Sequence, residues 1–166
     1  MSGSLIYSIK HLRDGSSLSD LKAREMATTG FILASLGLLT GSVWARFTWG
    51  SFWVNDPKLN GTAVTMLIYM AYFVLRQAVE DPQKKGRLAA VYNIFAFVMM
   101  IVFIGILPRL TDSLHPGNGG NPGFNQYDLN NNMRPIFYSA VLGWILLGLW
   151  ITNLRVRYKH ILSNDQ

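Results

Sequence analysis

Four apolar stretches dominate this 166-residue chain, at about residues 26–44, 62–79, 88–107 and 135–153. Each approaches the roughly 20 residues that a helix needs to cross a bilayer core about 30 Å thick. The chain therefore reads as an all-α integral membrane bundle with four transmembrane helices. Pro108 and Pro135 stand where helices should stop and start, and Pro82 follows the second stretch. Half of the residues are hydrophobic and only 14% are charged. A soluble domain of this size would need far more charge to cover its surface.

The cations set an orientation. Lys10, Arg13, Lys22 and Arg24 precede the first span; Arg76, Lys84, Lys85 and Arg87 surround the connection between the second and third; Arg155, Arg157 and Lys159 follow the fourth. The opposite side carries only Arg46, Lys58, Arg109 and Arg134. By the positive-inside rule both termini are expected in the cytoplasm. The expected layout is a cytoplasmic segment at 1–25, a four-span domain at 26–153 and a basic cytoplasmic tail at 154–166. Outward loops at 45–61 and 108–134 complete it. The net charge of +6 does not point to nucleic acid, because the cations form short clusters between spans instead of one patch.

Other classes are excluded by what the chain contains. With no cysteine there are no disulfides, thiolate metal sites or covalent haem-attachment motif. No Asp, Glu, Lys or His falls deep inside a span, which argues against a pump or ion-coupled carrier. The outward loops hold no paired carboxylates, no nucleophile beside a base and no phosphate-cradling loop, so the expectation is not an enzyme. Gly30, Ala34, Gly37 and Gly41 form a small-residue stripe that suits close helix packing. No cleavable signal peptide is evident in 1–15. Residues 4–13, Ser-Leu-Ile-Tyr-Ser-Ile-Lys-His-Leu-Arg, fit two readings. They are either the inner end of a hydrophobic helix whose body is missing, or a short amphipathic segment lying on the inner leaflet.

Residues 44–56 read Trp-Ala-Arg-Phe-Thr-Trp-Gly-Ser-Phe-Trp-Val-Asn-Asp and hold three of the five tryptophans. If 48–54 is helical, Trp49, Phe52, Trp53 and Asp56 fall at spacings of three and four and share one face. Asp56-Pro57 reads as a helix start, with Asp as N-cap and Pro at the first helical position. Interfacial anchoring accounts for one or two rings; this density suits a platform for a flat apolar ligand with a charged edge. His115 is the only histidine expected on the outward side. A solvated loop residue and a metal ligand are both open readings for it, and neutral imidazole is the usual protein ligand for haem iron. A porphyrin face could then stack on Trp49 and Trp53, while Arg46, Lys58, Arg109 or Arg134 pairs with the propionates. The Gly- and Asn-rich run 117–123 around it predicts a mobile loop.

The run Leu39-Thr40-Gly41-Ser42-Val43-Trp44, followed by 48–59, Thr-Trp-Gly-Ser-Phe-Trp-Val-Asn-Asp-Pro-Lys-Leu, resembles the tryptophan-rich WWD segment of haem-handling cytochrome c assembly proteins. The likeness is greatest to the haem exporter protein C family. It extends from the first span to the C-terminus and includes Glu80-Asp81 to Gly86-Arg87, Leu114-His115 and Met133-Arg134-Pro135. The resemblance implies a six-span protein of the bacterial inner membrane that holds non-covalent haem b on its outer face between two histidines. It also implies transfer of haem to a periplasmic haem chaperone, in company with ABC transporter subunits of the cytochrome c maturation system. On this basis Trp49, Trp53 and Asp56 match the tryptophan-rich motif, with Phe52 and Arg46 beside them, and His115 matches the downstream iron ligand. Two departures stand out. Phe52 and Asn55 occupy positions where the family usually has Trp, and this sequence lacks the two further N-terminal spans with the first ligating histidine between them. The expectation is a chain truncated at its N-terminus.

The leading expectation is therefore haem binding and delivery for c-type cytochrome biogenesis. Two alternatives compete with it: a cytochrome b-type electron-transfer subunit, disfavoured because no histidine lies inside a span, and a structural or assembly subunit without cofactor.

Overall fold

The computed structural model describes residues 1–115 and 129–164; the Gly-rich run 117–123 lies outside them. Among the described residues the fold is all helical. Helix α1 spans Ser2–Asp14, α2 Ser17–Trp49, α3 Pro57–Ala78 and α4 Pro82–Met100. The last continues through a π-helical stretch, Ile101–Ile106, into the short α5 at Leu107–Leu110, and α6 covers Met133–Asn164. Four of these elements are long and apolar enough to cross a membrane: Ser17–Trp49, Pro57–Ala78, Pro82–Leu110 and Met133–Leu162. The protein is a multi-pass membrane protein, and leucines, isoleucines and tryptophans are exposed along α6 and the other spans.

Local chemistry sets the helix starts. Ser16 caps α2 by accepting the Ser19 N–H. Asp56 and Asp81 each cap the helix that follows, with proline at the first helical position in both cases. Proline suits that place because its missing N–H would have had no partner there. Helix α2 begins at Ser17, well before the apolar stretch, because the Ser16 cap starts it in the polar region.

Helix α1 packs against α2 and α4. It runs antiparallel to the start of α2: the Ser4 hydroxyl donates to the Ala23 carbonyl at 2.7 Å, and His11 Nδ1 lies 2.9 Å from the Ser16 carbonyl. Asn93 of α4 closes the contact, its amide donating to Ser4 Oγ at 2.6 Å and Ser8 Oγ at 2.8 Å. Ser4 and Ser8 are four residues apart, so both reach the same partner from one face. The small-residue stripe of α2 is used unevenly. Gly30 meets the Met1 side chain, whereas nothing described comes within 4 Å of where a side chain would stand on Gly37 or Gly41.

The bundle has two chemically different ends. The 50–56 segment and the residues that follow Leu110 gather at one, the tryptophan end. The α1–α2 turn, the α3–α4 turn and the end of α6 gather at the other. Near this basic end Asp20 of α2 and Arg76 of α3 form a bidentate pair at 2.7 and 2.6 Å. Glu25 of α2, fully buried, accepts from Arg155 Nε at 2.8 Å and from Lys159 Nζ, which fastens α6 to α2. Glu25 itself is the buried member, and its two cations stay partly exposed, so either one keeps the carboxylate paired when the other is lost. Between the ends, Ala27, Tyr72 and Ala89 form a small core with Phe73 and Tyr92 packed on it.

Pro108 falls inside the helical tract instead of ending it. Proline has no N–H to return to the preceding turn, and its ring crowds the carbonyl four residues back. The stretch before it answers by widening: the Leu107 N–H reaches the Val102 carbonyl, a five-residue step. A wide turn of this kind pushes one carbonyl out of line, and Gly61 of α3 makes room for it. A Cβ on Gly61 would collide with the Phe103 carbonyl oxygen, so the two backbones touch here.

Candidate functional site

Trp49 is the last residue of α2. Gly50 ends the helix at φ 78°, a left-handed conformation that glycine adopts at no steric cost. The 48–54 stretch is therefore not one helix, and the expected shared face of Trp49, Phe52, Trp53 and Asp56 does not form. What replaces it is a short folded-back segment. The Arg46 guanidinium donates to the Gly50 carbonyl and lies over the Phe52 ring, 5.9 Å from its centroid. Ser51 Oγ donates to the Trp53 carbonyl at 2.9 Å. Trp53 Nε1 donates to Asn60 Oδ1 at 3.2 Å, and the Asn60 amide in turn donates to Asn55 Oδ1 at 2.7 Å. Asn55 thus holds the first turn of α3.

Asp56 is the hub of the site. As N-cap its Oδ1 accepts the backbone N–H of Lys58 at 2.9 Å and of Leu59 at 3.3 Å. The same carboxylate reaches across to the residues after α5. Its Oδ2 accepts Ser113 Oγ–H at 2.9 Å and the Leu114 N–H at 2.7 Å, and its Oδ1 lies 3.0 Å from His115 Nδ1. Ser113 Oγ also accepts the His115 N–H at 3.1 Å, closing a tight turn. Asp56 is only 2% exposed. Burial pushes its carboxyl up, but the Leu114 amide, the Ser113 hydroxyl and the Lys58 and Leu59 amides together hold it below the ordinary carboxylate value.

The His115 ring is set against tryptophan. Trp49 and His115 meet edge to face with centroids 4.9 Å apart, and Trp44 meets Trp49 in the same way at 5.1 Å. Contacts of this geometry add about 0.5–1.5 kcal/mol beyond the area they bury. Trp49, Asp56 and His115 are thus brought together from three separate stretches of chain. Phe52 and Trp53 make their described contacts elsewhere, with Arg46 and Asn60, and both rings stay exposed, as does Phe47. Of the other cations near this end, Arg109 Nη1 donates to the Gly105 carbonyl at 2.7 Å and Arg134 Nε to the Leu129 carbonyl at 3.3 Å.

Three participants went unforeseen in the sequence: Ser113, Asn60 and the contact of the exposed Trp44 ring with Trp49. Ser113 left a usable trace, since a serine two residues before His115 is placed to bond the following backbone.

The sequence profile of the family described as "Heme exporter protein C" matches residues 4–165. A relative of that name from Paracoccus denitrificans is 28% identical over 142 residues, which is 84% of this chain and 58% of the relative. One from Escherichia coli K12 is 26% identical over 140 residues, 84% of this chain and 55% of the relative. A "Cytochrome c biogenesis protein CcsA" from Prochlorococcus marinus is 37% identical over 89 residues, 54% of this chain and 27% of the relative. The chain spans little more than half the length of the first two. With the profile running almost from end to end, the chain belongs to the heme exporter protein C family.

Proposed function

We propose that this protein binds haem at its tryptophan end and delivers it for c-type cytochrome biogenesis. In this reading the tryptophan end faces the periplasm, and both termini lie in the cytoplasm of a bacterium whose inner membrane holds the bundle. The basic residues at the opposite end support that orientation. Haem is cargo here, and the protein positions it without making or breaking covalent bonds. A periplasmic haem chaperone would receive it, with ABC transporter subunits of the maturation system as neighbours in the membrane.

The observation that carries the reading is the joining of Trp49, Asp56 and His115 at the end of the bundle that also carries the exposed Phe52 and Trp53 rings. His115 Nδ1 is engaged by Asp56, and Nε2 is the ring nitrogen that no described residue engages, so it is the atom available to iron. The His115 side chain is 27% exposed, enough to be reached and too little to swing freely. Phe52 and Trp53 offer the apolar faces that a macrocycle needs, and Arg46 stands beside Phe52 as a cation for a propionate. Haem b, bound without covalent attachment, suits a chain with no cysteine.

The test is haem retention in detergent. His115→Ala is expected to lose most of the bound haem and the absorption bands of a histidine-ligated iron, while helix content stays that of the parent. An unchanged spectrum and yield would remove His115 from the site.

A further inference from the structure

We propose that Asp56 is the positioning residue of the His115 ligand, with Ser113 as the clip that holds both on one carboxylate; the inference rests on the haem reading of His115 given above. Every described partner of the Asp56 carboxylate is a donor: the Lys58, Leu59 and Leu114 amides, the Ser113 hydroxyl and the His115 ring. An ionised carboxylate can only accept. The proton in the His115 contact must therefore sit on Nδ1, and in the neutral imidazole the lone pair is then on Nε2. The structure fixes a tautomer, and it is the one that presents Nε2 to a metal.

Two consequences follow for the iron. The ring is oriented before cargo arrives, since Trp49 meets it edge to face and Ser113 holds its backbone N–H. A charge-assisted bond at Nδ1 also raises the basicity of Nε2, as carboxylate–histidine pairs do at other metal sites. A more basic ligand favours ferric over ferrous iron, so Asp56 lowers the reduction potential of the bound haem. The carboxylate thereby links two jobs: it starts α3, and it sets how strongly the ligand donates.

Asp56→Asn separates them, because Asn caps a helix about as well as Asp but brings no charge to the ring. In this variant haem affinity is expected to fall about 10- to 100-fold, the range seen when a partner behind a metal ligand is removed. The potential of the remaining haem should rise while helix content is unchanged. Ser113→Ala should lose part of the affinity and Ser113→Thr should restore it. A second readout needs no haem: in protein labelled with nitrogen-15 histidine, the His115 signal, identified by its absence in His115→Ala, should report the proton on Nδ1. In Asp56→Asn it should move toward the Nε2–H form. Asp56→Ser, a shorter cap, covers the case in which Asn misfolds and should give the same shift. A proton on Nε2 in the parent protein would overturn the proposal, as would parental affinity and potential in Asp56→Asn. If instead His115→Ala keeps the parental haem spectrum, the ligand reading itself fails and takes this inference with it.

Discussion

Two aspartate–proline pairs start helices at opposite ends of this bundle, Asp56-Pro57 ahead of α3 and Asp81-Pro82 ahead of α4. Locally they are the same device: each carboxylate accepts the N–H groups of the next two helical residues, Lys58 and Leu59 in one case, Gln83 and Lys84 in the other. Beyond that they part. Asp81 is exposed, and its described bonds end with its own helix. Asp56 is buried and also holds Ser113, Leu114 and His115, more than fifty residues away in sequence. The difference teaches that a cap becomes part of a site when a second segment is delivered onto its unused lone pairs. Here the delivery depends on α5 and the wide turn before it.

Substitutions at both ends put this contrast to the test. The largest effect is expected from comparing Asp56→Ala with Asp81→Ala in thermal unfolding in detergent. The first loses a cap and leaves buried donors unmet, a cost of about 3 kcal/mol, while the second loses only a cap worth about 1 kcal/mol. Equal losses would show that the cross-chain bonds add nothing to stability. Gly61→Ala comes next, because its methyl group must displace the Phe103 carbonyl. We expect a cost of about 1–3 kcal/mol and, if α5 shifts, weaker haem retention as well.

Acid should distinguish the parent from Asp56→Asn. The folded-state value of Asp56 lies below the unfolded one. Its contribution is therefore complete above the ordinary carboxylate range near pH 4 and fades as pH falls through that range toward the lower folded-state value. The melting temperature of the parent should drop over this interval by more than that of Asp56→Asn; parallel curves would contradict the sign. The smallest effect is expected from Asn60→Ala, which unties Trp53 and Asn55 at an exposed position. Stability should change by less than about 0.5 kcal/mol, with a shift in tryptophan emission as the measurable trace.

Much of the fold could be read from the residues. Hydropathy located the spanning helices because lipid demands long apolar runs, and Asp56-Pro57 announced the start of α3 because capping is a local bond. The helical spacing of Trp49, Phe52 and Trp53 misled, since it ignored Gly50, whose left-handed turn stops α2 before the second and third rings are reached. Glycine in the left-handed conformation is a common helix end. Glu25 was hidden for another reason. It lies at the edge of an apolar run, and its partners Arg155 and Lys159 come from the far end of the chain. No local pattern marks such a triad. The union of Asp56 with His115 was legible only as shared placement at one end, because hydrogen-bond direction and burial are decided by tertiary packing.

The wide turn at Ile101–Ile106 can also be described as a matter of helical phase. An α-helix advances about 100° per residue, and a π-helical turn accommodates one residue more than an α turn does. All that follows, from Leu107 through His115, is thereby rotated about the helix axis relative to an unbroken α4. Residue count in this stretch is thus as constrained as hydrophobicity. A chain equally apolar but one residue shorter would send Ser113 and His115 out along a different azimuth, away from the start of α3.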